Sequence, residues 1–505
     1  MSLALLLVSV LACGGVQRDD KPRDSGLTAG ADTDTDADAD TDVDTDTDTD
    51  TDGFTDVPPA VDWFVTATSE AALELSGRAP DDRYGVVAAA GDVDGDGLAD
   101  FAFARSGDEP GATGETWVDL VYGSAHFDAP VVATFAFGEG DAPRAMSGVG
   151  DVTGDGSDDF VVCASGASLF GDDAGVAWVL PGGERWRGDT SVESVAAARV
   201  HGTPGQQVCA AVVPALDLTG NGVDDLLLGG RNAPGGDTSG GVWLLEGPLS
   251  GDLDTSSAAV SLAGHGDGAY AGSALALGDL SGDGVPDLAV GALGAGPASN
   301  AGVIDIVLGP LGSGSLQDAD YSITGVDAAD GVGARDTIGI GDLDGDGRVD
   351  LIFSAPGDEE NELLVNHGTI YVVYGDDLID APATSLARTR FFGLRPDQYA
   401  GTSVAVADLD NDGDVEVLFG APDEVGITSG ALYLFDDPGE GRYSAGEADG
   451  LVVGTGFADR LGTSIAVVGD VDGDRDKDLV VGAPDADTIG PDVGVAYLLL
   501  SEVAP

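Results

Sequence analysis

Seven stretches of this chain set oxygen-bearing side chains at one nine-residue spacing, D-x-[DTS]-x-[DN]-G-x-x-[DE], with a single departure, Arg475 at the sixth position of the last copy. Positions 1, 3, 5 and 9 are Asp92, Asp94, Asp96 and Asp100 in the first copy, then Asp151, Thr153, Asp155 and Asp159, then Asp217, Thr219, Asn221 and Asp225. The fourth copy has Asp279, Ser281, Asp283 and Asp287, and the fifth Asp342, Asp344, Asp346 and Asp350. The last two have Asp408, Asp410, Asp412 and Glu416, and Asp470, Asp472, Asp474 and Asp478. Calcium takes several hard oxygens in a pliable cage. A tight loop supplies them from side chains at positions 1, 3 and 5, a backbone carbonyl at position 7 and a two-oxygen carboxylate at position 9. The carbonyl donors are expected at Leu98, Ser157, Val223, Val285, Arg348, Asp414 and Asp476. Glycine at position 6 permits the sharp turn with positive φ. A single copy reads as well as an acidic turn. Seven in phase predict up to seven structural Ca2+ ions. Copies one, five, six and seven offer four side-chain carboxylates, copies two and four offer three, and copy three offers two, so copy three is expected to fill last.

The elements that hold these loops follow from their flanks. The copies start 59, 66, 62, 63, 66 and 62 residues apart, a long and nearly fixed period that marks a repeat architecture. A β-run precedes each loop, as in residues 403–407 and 464–468, and another follows it, as in 415–419 and 479–481. Each loop therefore joins a hairpin. A third run, such as 369–374, follows a Gly-rich connection, and a fourth, such as 259–262 or 321–324, completes the period. An EF-hand needs flanking helices, and a nonapeptide β-helix has a far shorter period. The expected fold is all-β, a seven-bladed β-propeller of four-stranded antiparallel blades with calcium-binding hairpin loops. The last repeat shows three strands, 494–500 being the third. The run 72–76, ahead of the first hairpin, is expected to supply its fourth and close the ring.

With these pieces in place the chain resembles the FG-GAP repeat family of integrin α-chain propellers. The sixth repeat reads Tyr399-Ala-Gly401, then the acidic loop, then Gly420-Ala-Pro422. The seventh has Leu461-Gly462 and Gly482-Ala-Pro484, and the fifth Val332-Gly333 and Ser354-Ala-Pro356. The first keeps Tyr84-Gly85 but has Ala104-Arg-Ser106 in place of Gly-Ala-Pro, and repeats two and three depart there too. The resemblance covers about residues 70 to 501. It implies a similar ring closure and a ligand surface on the face opposite the calcium loops.

The N-terminal region reads as an address and a tether. Residues 3–12 form an apolar run too short to span a bilayer and suited to a signal peptide. The run ends in a stretch from Val10 to Gly14 that resembles a bacterial lipobox. That resemblance implies cleavage after residue 12 and a lipid on Cys13. Residues 13–59, rich in alternating Thr and Asp, offer no apolar face and repel themselves, so they predict a disordered acidic tether. The propeller is expected over residues 60–505. The expected location is lipid-anchored in a bacterial envelope, at the outer membrane or cell surface, with the lipid as the sole membrane contact. Cys163 and Cys209 lie in apolar runs. They either pair in an oxidising compartment or serve as two small buried hydrophobes, and the spacing leaves both readings open.

Composition limits the partners. Ninety-one acids against 20 bases give a formal charge of −71, which excludes a broad phosphate-binding surface and hence nucleic acid. The four histidines fall in different repeats without partners at a recurring offset, so no catalytic constellation is evident. Asp237-Thr-Ser-Gly-Gly241 reads as turn chemistry, and Arg187-Gly-Asp189 is expected by chance in so Gly- and Asp-rich a chain. Several of the scarce arginines (Arg83, Arg144, Arg231, Arg335, Arg395 and Arg460) fall in connections on the face opposite the loops. Local pairing with acids such as Asp82 or Asp459 is one account of them, and a cationic ring around the axis that receives an anion is the other. The leading expectation is a monomeric surface recognition or adhesion module for protein ligands. A lectin-like glycan binder is the alternative, and a propeller enzyme with a site at the central channel ranks below both.

Overall fold

The computed structural model describes residues 71–501, apart from 79–81, 106–115, 128–129, 139–140, 235, 360–364, 424–428, 455, 457 and 488–491. The proposed signal peptide, Cys13 and the tether of residues 13–59 lie outside the described residues. The chain forms seven sheets arranged as the blades of a propeller. In each blade the first strand lies nearest the axis, and the acidic loop joins it to the second. These inner strands are Tyr84–Gly91, Ala145–Gly150, Val208–Pro214, Ala271–Gly278, Ile338–Gly341, Val404–Ala407 and Ser464–Gly469. Each touches the inner strand of the next blade, and the seventh touches the first, so the ring is closed.

The second and third strands of a blade are sandwiched between neighbouring blades and bury both faces. This is why they read as unbroken apolar runs instead of alternating ones. Asp159–Ala164, Asp287–Ala292, Asp350–Ala355, Glu416–Ala421 and Asp478–Ala483 are buried at every residue. The core is accordingly split into seven apolar clusters, one in each gap between blades. Six or eight blades would leave a different set of gaps.

Glycine at the inner seams is a matter of space. A Cβ on Gly229, Gly291, Gly420 or Gly482 would lie 2.2, 2.3, 1.9 or 1.9 Å from the carbonyl oxygen of Gly272, Gly333, Gly462 or Gly85 in the following blade. The Gly of Gly-Ala-Pro and the Gly that opens the next repeat are thus two halves of one backbone contact. Where the fifth blade has Ser354 instead, its hydroxyl donates to the carbonyl of Gly401.

Closure occurs as the sequence predicts. Leu73–Ser76 pairs antiparallel with Val495–Leu499, Leu73 facing Leu498 and Ser76 facing Val495. Arg78, just beyond, fastens this edge to the first blade through Asp119 at 3.1 Å and Thr134 at 2.8 Å. The blades are wider than four strands in five of seven cases. A short segment after the third strand of each of blades two to six crosses back and adds a parallel outer strand to the preceding blade. Gly188–Ser191, for example, pairs with Val132–Phe137. Such two- to four-residue additions carry no hydrophobic period. Arg187-Gly188-Asp189 lies at this edge, where Asp189 stands 3.8 Å from Arg78.

Cys163, on the second strand of blade two, and Cys209, on the first strand of blade three, form a disulfide with Cα atoms 5.2 Å apart. This decides between the two readings of these residues and adds a covalent link to one of the seven gaps.

Candidate metal centres on one face of the disk

All seven acidic loops project from the same face, because each joins a first strand to a second. The position-9 acid opens the second strand and is the best-buried member of the set. Asp100, Asp159, Asp225, Asp287, Asp350, Glu416 and Asp478 are each at most 1% exposed. Its two oxygens do separate jobs. In the first loop one accepts from the Val93 amide at 2.9 Å, within the loop, and the other from the Gly123 amide at 2.8 Å, past the end of the third strand. The same double use recurs at Asp350, which takes the amides of Leu343 and Gly375 at 2.8 and 3.0 Å, and at Asp478, which takes those of Val471 and Ser501 at 3.0 Å each. Burial pushes these acids up, to about 7 for Asp100, Glu416 and Asp478 and to about 6 for Asp159 and Asp350.

The position-1 acid shapes the turn. Asp92 accepts from the amides of Asp96 and Gly97, both at 2.9 Å, and Asp342 from those of Asp346 and Gly347 at 3.1 and 2.9 Å. Position 6 has positive φ throughout, from 86° at Gly284 to 101° at Gly413, and Arg475 is held at 89° in a region unfavourable to its Cβ. A second left-handed position escaped the sequence reading. Position 4 has φ between 58° and 89° in all seven loops, and it is Gly in six and Asn411 in the other. The recurrence of Gly there was the available signal.

Side-chain chemistry separates the loops into two groups. In loops one, five, six and seven, three carboxylates gather so that one oxygen of each lies within 4.8 Å of the others. The groups are Asp92, Asp94 and Asp96; Asp342, Asp344 and Asp350; Asp408, Asp410 and Asp412; and Asp470, Asp472 and Asp478. These are the loops with four carboxylates in the sequence. In loops two, three and four a hydroxyl residue takes position 3, and its own amide bonds the position-9 acid: Thr153 to Asp159 at 2.7 Å, Thr219 to Asp225 at 2.8 Å and Ser281 to Asp287 at 2.8 Å. Among the described residues no such three-acid group forms in those loops. Burial and like-charged neighbours together push Asp344, Asp410 and Asp472 above the usual carboxylate range.

These donor sets fit a hard divalent cation. They are all oxygen and rich in carboxylate, with neither His nor Cys, which suits calcium and not zinc. Loop six adds a more specific sign. The buried Asp408 Oδ1 and Glu416 Oε1 have no hydrogen-bond partner. A buried carboxylate oxygen left unpaired is costly unless a cation takes it.

The loops are also linked to one another. The Ala99 amide donates to the Asp470 carbonyl at 2.8 Å, Asp224 to Asp151 at 3.2 Å, Val349 to Asp279 at 3.3 Å and Lys477 to Leu409 at 2.8 Å. An ion that orders one loop therefore acts on the neighbouring blade as well.

Among the described residues the opposite face and the channel show no comparable acidic site. Arg83 lies 3.7 Å from both Asp485 and Asp492, and Arg460 lies 3.3 Å from Asp423. Arg335 stands 3.8 Å from Asp336 and donates to the Arg144 carbonyl at 2.8 Å. Asp82 and Asp459, the partners suggested by sequence, accept backbone amides, from Arg78 at 2.8 Å and Gly456 at 2.6 Å. The axial channel, of about 180 Å³, is lined chiefly by apolar residues of the inner strands, and its charged members among the described residues are Arg144, Arg335 and Asp336. Among the described residues no helix is long and apolar enough to cross a membrane.

With fold and loops established, comparison places the chain among known proteins. Residues 271–307 match the FG-GAP repeat and residues 342–419 the FG-GAP-like repeat. It is 31% identical over 167 residues to phosphatidylinositol-glycan-specific phospholipase D of Bos taurus, covering 32% of this chain and 20% of that one. It is 36% identical over 115 residues to human integrin alpha-IIb, covering 21% of this chain and 11% of that one. Against BBS1N, solved in complex with ARL6DN, it has a TM-score of 0.45 at 10% identity, covering 88% of this chain and 98% of that one. The chain is a seven-bladed β-propeller that carries FG-GAP repeats and is similar over part of its length to integrin α chains. It spans about a fifth or less of the length of the curated relatives it matches.

Proposed function

We propose that this chain is an extracytoplasmic recognition or adhesion module whose disk is fastened by calcium on one face and presents the other to a protein ligand. The unpaired, buried Asp408 Oδ1 and Glu416 Oε1, set in an all-oxygen acidic loop, carry the calcium assignment. When bound, calcium would supply positive charge to Asp408, Asp410, Asp412 and Glu416 and to the corresponding acids of loops five and seven. The chain's own residues do the rest: the position-9 acid holds the hairpin to its third strand, and the inter-loop amides pass that order to the next blade. The Cys163–Cys209 disulfide supports an oxidising compartment. Anchoring through a lipid on Cys13 belongs to the same reading, and Cys13→Ser is expected to release the protein from the membrane fraction.

Recognition is supported by the similarity to integrin α chains, 36% identical over 21% of this chain. Among the described residues five large apolar side chains are exposed, and three of them, Leu169, Val326 and Val365, lie in connections on the face away from the acidic loops. The phospholipase activity in the name of the other relative belongs to a chain of which this one matches 20%. Two measurements test the reading. Thermal unfolding with excess calcium and with chelator is expected to show a higher midpoint with calcium, and equal midpoints would overturn the metal assignment. Envelope proteins, a glycan array and a hydrolase panel are then presented to the calcium-loaded chain. Retention of an envelope protein that is lost in Leu169→Glu/Val326→Glu/Val365→Glu, at unchanged melting temperature, supports the ligand face. Glycan binding or substrate turnover unaffected by that variant would replace it.

A further inference from the structure

The four tricarboxylate loops are not equivalent, because one of them already holds a cation from the chain itself. Arg185 reaches loop one from the segment after the third strand of blade two. Its Nη2 lies 2.7 Å from Asp96 Oδ2, and its Nε donates to Asp94 Oδ2. Asp94 is 3% exposed at its side chain, and Arg185 and Asp96, at 32% and 39%, form the outer part of the contact. The guanidinium is held from behind as well: it lies over the Tyr122 ring, 4.9 Å from its centroid, while the Tyr122 hydroxyl accepts from the Trp186 amide at 2.9 Å. The Gly183 amide donates to the Val93 carbonyl at 2.8 Å, which draws this segment across loop one.

Corresponding positions can be identified by structure. Gly123, Gly182, Gly247, Gly309 and Gly375 each donate an amide to the position-9 acid of their own blade. Three residues further on stand His126, Arg185, Ser250, Gly312 and Leu378. Ser124 and Leu249 donate to the Val471 and Val152 carbonyls of the preceding loops, as Gly183 does to Val93, so the crossing is a repeated feature. Among these five positions arginine occurs once, in a chain with 20 bases and 91 acids, and there it meets a loop with four carboxylates.

We propose that loop one is closed by the Arg185 guanidinium and takes up no calcium, so that blades one and two are fastened on this face without metal. The inference rests on the calcium reading for the other acidic loops. Calcium entering loop one would have to displace two charge-assisted hydrogen bonds and leave the guanidinium without its acids, whereas among the described residues no Arg or Lys side chain bonds the position-1, -3, -5 and -9 carboxylates of loops five, six and seven, the Lys477 ammonium reaching only the Asp408 carbonyl of loop six at 2.8 Å. The acids of loop one are therefore poor calcium ligands in this chain despite their favourable spacing.

Calcium bound per chain is counted by equilibrium dialysis and elemental analysis for the parent, Arg185→Gln, Asp94→Asn/Asp96→Asn and Asp410→Asn/Asp412→Asn. Asp94→Asn/Asp96→Asn is expected to leave the count unchanged, Asp410→Asn/Asp412→Asn to lower it by one ion, and Arg185→Gln to raise it by one. In chelator Arg185→Gln is expected to melt below the parent, and saturating calcium is expected to close that gap. A count lowered by one in Asp94→Asn/Asp96→Asn would overturn the proposal while leaving the calcium reading intact. So would an unchanged count in a folded Arg185→Gln. If Arg185→Gln fails to fold, the Asp94→Asn/Asp96→Asn count decides alone. A parent that binds no calcium overturns both.

Discussion

Asp350→Asn separates a calcium ligand from a mere turn acid. The side chain keeps its shape but can satisfy only one of the two amides, of Leu343 and Gly375, that Asp350 now accepts. Leaving the other buried donor unpaired costs about 1–3 kcal/mol. Against this stands the charge itself. Burial raises Asp350 from 3.8 to about 6, so the penalty for carrying the charge in the folded state begins above the unfolded value and is complete above the folded one. At pH 8 that is about two units, or about 3 kcal/mol, all of which the amide removes. In chelator the two effects nearly cancel, and the variant is expected to melt at or slightly above the parent. With calcium the balance changes. At about 10 mM, a hundredfold above a dissociation constant of about 10⁻⁴ M, a site that fills only in the folded state contributes about 2.7 kcal/mol. The variant forfeits it and is expected to lie about 1–3 kcal/mol below the parent. A domain of this size unfolds with roughly 0.9 kcal/mol/K of entropy, so the swing between buffers is about 3 °C by calorimetry. The same displacement with and without calcium would refute the reasoning and make Asp350 a structural hydrogen-bond acceptor alone.

Three further outcomes are expected. In chelator the melting temperature should rise as pH falls from 8 to 5, because Asp100, Glu416 and Asp478, raised to about 7, shed a buried charge; Glu416→Gln should flatten that slope, and an unaltered slope would count against burial as its cause. Under denaturing, non-reducing conditions Cys163 and Cys209 should show no free thiol, and Cys163→Ala/Cys209→Ala should lose about 4 kcal/mol, or about 4 °C, for a cross-link spanning 46 residues; titratable thiols at both positions would refute the pairing. Arg78→Ala removes the cation beside Asp119, which is 8% exposed, and should cost about 1–3 kcal/mol and speed proteolysis ahead of Tyr84; unchanged proteolysis would mean that the closing strand holds without it.

The repeat period, the strand pattern and the Asp spacing were legible because each is local. A hairpin and its nine-residue loop are complete within about twenty residues, and the acids at positions 1 and 9 meet amides of their own loop. Seven such units in phase are enough to specify blades, ring closure and which loops gather three carboxylates. The left-handed position 4 was equally local, visible as a recurring glycine beside the one at position 6.

What the tertiary structure decided was set by contacts between segments far apart in the chain. The outer fifth strands are too short to have a period and exist only because the preceding blade offers an edge. Cys163 and Cys209 meet across a gap between blades, at a separation of 46 residues where composition permits pairing without requiring it. Arg83 lies near Asp485 and Asp492 and Arg460 near Asp423 and Asp485, acids of other connections that no local spacing points to. Arg185 lies 91 residues from Asp94, in a different repeat. By residue type and spacing alone loop one ranks among the best cation sites in the chain. Only packing blade two against blade one brings a guanidinium to it, since charge count along a loop carries no record of which side chain from the next repeat crosses over it.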